Sequence, residues 1–294
     1  MLSQLHNSKT TVFIGDSAKM QSFLPENHFD LIISGPPYWN EVVYSQDPGQ
    51  LSAIDDYAEF LKSISKVWQG CSYTLKEGGV LALWAHDFFR KDHDSLVYIP
   101  FHDDLIRSMP SDLPLRNIGI WDRYLHKNRG SFDVSAKIST RFQYVLVFQK
   151  QGLHPQNQDL IKDALRDLYW NPIWNYKTHP ILLGSRGLFR FVFELQKLIP
   201  FLSFLRKYVK MGFLRDDHAF THYATECPEE IAIRLIEKFT QPGDRVLDPF
   251  LGSGTTMKVA QGLDRFCTGI EINKEALPSI QNKIGFSSEI IYVQ

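Results

Sequence analysis

The chain has 294 residues, 44% of them hydrophobic and 22% charged, and a formal net charge of −1. That length buries a full core and suits one large domain, or one domain with a substantial insertion; the near-neutral balance excludes a generally basic nucleic-acid coat but not a local basic face. Cys71, Cys227 and Cys267 are odd in number and scattered, which argues against a disulfide framework, and the most apolar region, Leu188 to Val209, is broken by Arg190, Glu194, Lys197 and Pro200 and makes no membrane span.

The opening MLSQLHNSKTTVF lacks the basic-then-apolar layout of a signal peptide, so a cytoplasmic protein without a membrane partner is expected. Short apolar runs then recur as buried strands: TVFIG (11–15), DLIIS (30–34), VLALWA (80–85), NIGIWDRY (117–124), FQYVLVFQ (142–149), RVLDPF (245–250), CTGIEI (267–272) and EIIYV (289–293). Helical patterns fill Asp55–Leu75, Pro228–Phe239, Thr255–Gly262 and Lys274–Ile284. Such alternation predicts an α/β domain with a mostly parallel sheet.

Two stretches break the rhythm. In WAHDFFRKDHD (84–94), His86 and Asp87 close a strand at the edge of a cleft and the rest reads as a solvated helix start. No H-x-x-x-H or C-x-x-C spacing accompanies these residues, so no metal is expected. From about 151 to 220 the chain turns aromatic and basic, with ten Lys/Arg against six Asp/Glu and no strand–helix alternation. It reads as an insertion, dividing the chain into 1–150, 151–221 and 222–294.

GDRVLDPFLGSGTTMKVA (243–260) is a strand, a glycine-rich turn and a helix. Gly252 and Gly254 let backbone approach a ligand, and the helix start beyond them offers unpaired N–H groups. Asp248 ends this strand, and the next one ends in Glu271, suitably placed to accept hydrogen bonds from two ribose hydroxyls. Gly254 is followed by Thr255 and Thr256 rather than by Lys-Ser/Thr, which favours an adenosine-type ligand without a triphosphate.

DPFLGSGTT followed by GIEI resembles the S-adenosylmethionine site of DNA amino-methyltransferases, which modify an exocyclic nitrogen of adenine or cytosine. The resemblance assigns Asp248, Phe250, Gly252, Gly254 and Thr255 to the cofactor turn and Glu271 to the ribose. It places Thr225, in HYATECPEEIAIRLIEKF (222–239), near the cofactor carboxylate, and Asp16, in VFIGDS (12–17), near its adenine. The implied fold is a Rossmann-like methyltransferase with a mostly parallel seven-stranded sheet flanked by helices and an inserted target-recognition region at 151–221. Residues 1–150 are then the catalytic half and 222–294 the cofactor half. The order of motifs resembles the beta class. The implied partners are double-stranded DNA, a second copy of the chain and a companion restriction endonuclease.

SGPPYWN (34–40) resembles the catalytic corner of that family, in which Asp, Asn or Ser precedes Pro-Pro-Tyr/Phe. The resemblance assigns Ser34, Gly35, Pro36, Pro37 and Tyr38 to catalysis, with the Tyr38 ring stacking on an extruded base and Trp39 extending that wall. Asn40, Lys127 and Arg129 are expected near the base and the DNA backbone. Gly35 departs from the pattern and removes one side-chain acceptor. Three readings stay open: Ser34 turns inward to replace it, Asn40 or Glu41 reaches back, or the site is weakened or inactive. A working enzyme is favoured, and serine at position 35 is expected to preserve or raise methyl transfer. Serine is the nearest family form, so the lean is to N4 of cytosine, with N6 of adenine as the alternative. A cofactor-binding and DNA-binding module without catalysis is the competing reading, and an RNA methyltransferase a weaker one.

Overall fold

All six residues of the run FDLIIS are buried, because this strand lies inside a sheet covered on both faces. The computed structural model describes residues 8–39, 49–92, 95–122, 142–154, 156–170, 173–174, 229–285 and 288–293. In chain order these form β1 (Thr10–Ile14), β2 (Phe29–Ser34), α1 (Tyr57–Thr74), β3 (Leu75–Ala85), β4 (Phe88–Asp92), β5 (Ser95–Ile99), α2 (Phe101–Arg107), β6 (Leu115–Asp122), β7 (Phe142–Gln149) and α3 (Gln158–Trp170). They continue with β8 (Ile173–Trp174), α4 (Glu229–Phe239), β9 (Arg245–Asp248), α5 (Thr255–Gly262), β10 (Phe266–Glu271), α6 (Leu277–Ile284) and β11 (Glu289–Tyr292).

Nine strands make the main sheet, in the order β11-β1-β10-β9-β2-β3-β7-β6-β8. The expected seven run without a gap from β1 to β6. Each edge carries one more, β11 on β1 and the two-residue β8 on β6, so both outer strands of the seven are paired. Every neighbouring pair is parallel except those of β7, which runs antiparallel to β3 and β6. From β9 the chain proceeds to β10 on one side, while β2 proceeds to β3 on the other. The crevice beyond the carboxyl ends of β9 and β2 is therefore a topological switch point, where open α/β sheets bind ligands.

The period-2 alternation of the strands feeds two cores. Leu31, Ile33, Val80 and Ala82 face α4, whose Ile231, Leu235, Ile236 and Phe239 recur at helical spacing. Ile32, Leu81 and Leu83 face the side covered by α1, which contributes Phe60, Ile64, Val67, Trp68 and Cys71. Asp56 starts α1 by accepting from the Glu59 amide at 2.7 Å. Each of these large side chains contributes about 1.5–3 kcal/mol on leaving water.

Two local expectations are corrected. Residues 88–92 and 95–99 pair as the antiparallel strands β4 and β5 instead of starting a helix, with Phe88 and Phe101 buried. The charged residues of RKDHD obscured the alternation that Phe88 begins. The stretch from 151 also contains regular structure. Ile161, Ala164 and Leu168 of α3 enter the core beside α4, and β8 pairs Ile173 with Ile120 and Trp174 with Trp121.

Candidate active site

The corner after β2 and the turn after β9 meet at the switch point. Ser34 is fully buried and donates its hydroxyl to Asp248 Oδ1 at 2.5 Å, tying the ends of the two strands together across 214 residues of sequence. The Phe250 amide donates to the same oxygen at 3.0 Å. Burial raises the Asp248 carboxyl to about 6, against these two donors.

The glycine turn follows. Gly252 and Gly254 have φ of +54° and +86°, values that L side chains rarely adopt, so the tight turn requires both glycines. The Gly252 amide donates to Glu271 Oε2 and the Asn273 amide to Oε1, each at 2.8 Å. Burial pushes Glu271 up to about 7, while the two amides favour its charged form. Asp16, after β1, accepts from the Ala18 amide at 2.9 Å and so starts a short 3₁₀ turn. The Ser17 hydroxyl beside it donates to the Pro249 carbonyl.

These elements surround a cleft of about 160 Å³. Asp16, Gly35, Pro36, Pro37, Asp248, Phe250, Gly252, Thr255 and Glu271 line it, whereas Gly254 shapes the turn behind it. Thr225, Asn40, Glu41, Lys127 and Arg129 lie outside the described residues. The described lining holds three carboxylates and neither Lys nor Arg, a set of acceptors that fits hydroxyls and a cationic ligand better than a polyphosphate.

Three side chains of the corner are engaged with protein. Ser34 lies beneath the cleft, with its hydroxyl committed to Asp248, and so does not turn inward for Gly35. Tyr38 is only 4% exposed, with the His86 ring at 4.2 Å and Phe101 at 5.6 Å, so its ring faces are packed against protein. Trp39 is 5% exposed; its indole donates to the Ile54 carbonyl at 2.7 Å, and its ring has the Arg90 guanidinium at 3.8 Å and the Tyr57 ring at 4.7 Å. The cation–π contact with Arg90 anchors the corner.

Trp84, Ser17, Gln50 and Asn273 also line the cleft without having been picked out from the sequence. Trp84 sits in the apolar run VLALWA, where an aromatic reads as core, and nothing along the chain links it to Gly35. A Cβ on Gly35 would stand 2.4 Å from Trp84 Nε1. Asp87 accepts from the Tyr98 hydroxyl, the His102 amide and His102 Nδ1, tying the β4–β5 hairpin to α2. Among the described residues no three His, Cys, Asp or Glu side chains converge as a metal site.

The sequence model of the DNA methylase family matches residues 29–282. The chain is 24% identical to the Type II methyltransferase M.SmaI of Serratia marcescens over 90% of its own length and 87% of that protein's. It is 24% identical to the Type II methyltransferase M.MjaI of Methanocaldococcus jannaschii over 95% and 92%. A Thermus thermophilus protein named as a putative DNA modification methylase, solved with S-adenosyl-L-methionine, superposes with a TM-score of 0.63 at 21% identity over 97% of this chain and 99% of its own. With the family model spanning both the proline corner and the glycine turn, the chain belongs to the N6/N4 DNA methylase family.

Proposed function

We propose that this protein moves a methyl group from S-adenosylmethionine to the exocyclic amine of a base swung out of double-stranded DNA, with N4 of cytosine preferred over N6 of adenine. The observation that carries the proposal is the shared cleft: Pro36 and Pro37 face the same space as Asp248, Gly252 and Glu271, and the Ser34–Asp248 hydrogen bond fixes one wall to the other.

Glu271 holds the ribose hydroxyls, because its oxygens retain lone pairs beside the two amide bonds. Asp16 flanks the adenine, and the turn at Gly252 lets backbone approach the methionine end. The buried, negatively charged Asp248 favours a cationic ligand at that end. Bound S-adenosylmethionine would supply a sulfonium methyl there, whose transfer would form the N–C bond as the S–C bond breaks onto sulfur, with one proton of the amine passing to water. Pro36 and Pro37 have no N–H, so their backbone offers only carbonyl acceptors to the amine hydrogens, on a stiff segment. Fixed acceptors align the amine lone pair, and positioning of this kind accounts for most of the rate. An extruded base gains a stacking face at Tyr38 only if the His86 ring moves aside.

Incubation with tritiated S-adenosylmethionine and unmethylated genomic DNA tests the proposal. Label in DNA that chromatographs as N4-methylcytosine after digestion supports it; N6-methyladenine moves the target to adenine. Cofactor binding with no incorporation into DNA supports the non-catalytic reading that Gly35 motivates.

A further inference from the structure

Trp84 is the penultimate residue of β3. β2 and β3 pair Ser34 with Leu83, so Gly35 and Trp84 are the next facing positions beyond that pair. The indole edge is pressed into the space a side chain at 35 would take, with Nε1, Cε2 and Cζ2 at 2.4, 2.6 and 2.8 Å from the position of a Gly35 Cβ. Trp84 is 5% exposed and borders the cleft together with Gly35, Pro36 and Pro37.

Buried indoles normally place their N–H against an acceptor. Trp39 donates to the Ile54 carbonyl at 2.7 Å and Trp68 to the Ser108 hydroxyl at 3.1 Å. Trp84 makes no hydrogen bond among the described residues, and its N–H stands at the corner of the cleft where a side chain is missing. Acceptors share the lining of the cleft with it: the Asp248 carboxylate, and a Pro36–Pro37 backbone with carbonyls and no N–H. Beside an acceptor for an amine there is thus a donor for an adjacent acceptor.

We propose that Trp84 reads the target base, its indole N–H donating to the ring nitrogen next to the amine that is methylated. Adenine N1 and cytosine N3 each carry a lone pair beside the exocyclic amine. Guanine and thymine carry an N–H at the corresponding ring position and would meet Trp84 donor to donor. The pairing of carbonyl acceptors with one indole donor therefore selects the two amino bases whose ring nitrogen is unprotonated. A site built around a hydrogen bond rejects an analogue lacking the partner, because its own buried group is left unpaired.

The inference rests on the methyltransferase reading, and its test keeps the two apart. Duplexes carrying the methylated site are compared with duplexes in which the target base is 3-deazacytosine, or 1-deazaadenine if adenine is the product. Wild-type protein is expected to lose about tenfold or more in kcat/KM on the deaza base. Trp84→Phe is expected to lose a similar factor on the natural base and to treat the two substrates alike. Equal wild-type rates on both duplexes overturn the role of Trp84 and leave methyl transfer standing, as does a Trp84→Phe variant that discriminates like the wild type. A wild-type protein that methylates no DNA overturns both. The wild-type comparison stands even if the variant fails to fold.

Discussion

Gly35→Ser tests how the corner is built. The sequence expects serine there to preserve or raise methyl transfer, because it restores the acceptor that the family carries. The structure reverses the sign. The added Cβ would lie 2.4–2.8 Å from three atoms of the Trp84 ring, where ordinary carbon contacts lie at about 3.5–4.0 Å, so ring or corner must move by about 1 Å. The ring is 5% exposed and belongs to the same buried core as Val145 and Trp121, and overpacking of this kind costs about 1–3 kcal/mol. If the corner yields instead, a 1 Å displacement of the groups that position the amine costs on the order of 10²-fold in rate. Urea midpoints give the first quantity, and single-turnover methyl transfer at saturating DNA and cofactor gives the second. Gly35→Ala is the control, since it adds the same Cβ without a hydroxyl. Serine and alanine are expected to fall together. A serine variant with wild-type stability and turnover would refute the steric reasoning, and a fast serine beside a slow alanine would show that the missing acceptor was the true deficit.

The two raised carboxyls give opposed pH trends. Asp248 at about 6 and Glu271 at about 7 hold protons in the folded chain that the unfolded chain has released, so their contribution to stability falls as pH rises from about 4 to 7. In the proposed roles both carboxyls bind cofactor ionised, so its Kd should rise about tenfold per pH unit below 7 and more steeply below 6; calorimetric titration between pH 5.5 and 8 giving a flat profile would exclude those roles. Ser34→Ala removes a donor from a buried carboxylate and should cost about 1.5–3 kcal/mol at pH 8 and less at pH 5, where Asp248 is protonated. Denaturation midpoints at the two pH values read the difference, and an equal loss at both would show that the hydroxyl serves packing alone.

Much of the frame was legible because parallel strands buried on both faces are written as continuous apolar runs. The pattern of FQYVLVFQ gave β7 at 142–149 and TTMKVAQG gave α5 at 255–262, both as found. The glycine turn was legible too, since only glycine readily takes the φ values at 252 and 254. The β4–β5 hairpin was obscured because its strands are short and carry charges that match a solvated helix equally well. Helix α3 was passed over among aromatic and basic residues, although its apolar positions keep helical spacing.

Several of the residues that line the cleft were legible one by one, whereas Trp84 and the relations among them were not. Sequence order says nothing about which strands adjoin, so the Ser34–Asp248 hydrogen bond and the cleft shared by Pro36 and Glu271 follow only from the order β10-β9-β2-β3. Nor does the identity of Tyr38 or Trp39 fix where its ring points; His86, Arg90 and Tyr57 take those faces by packing. The sequence by itself determined the family, most strands of the main sheet and the residues at the two corners, because local backbone chemistry and binary patterning are written in adjacent positions. Only the tertiary structure decided that the gap at Gly35 is filled by the indole of Trp84, because a void and its filler on neighbouring strands share no signature along the chain.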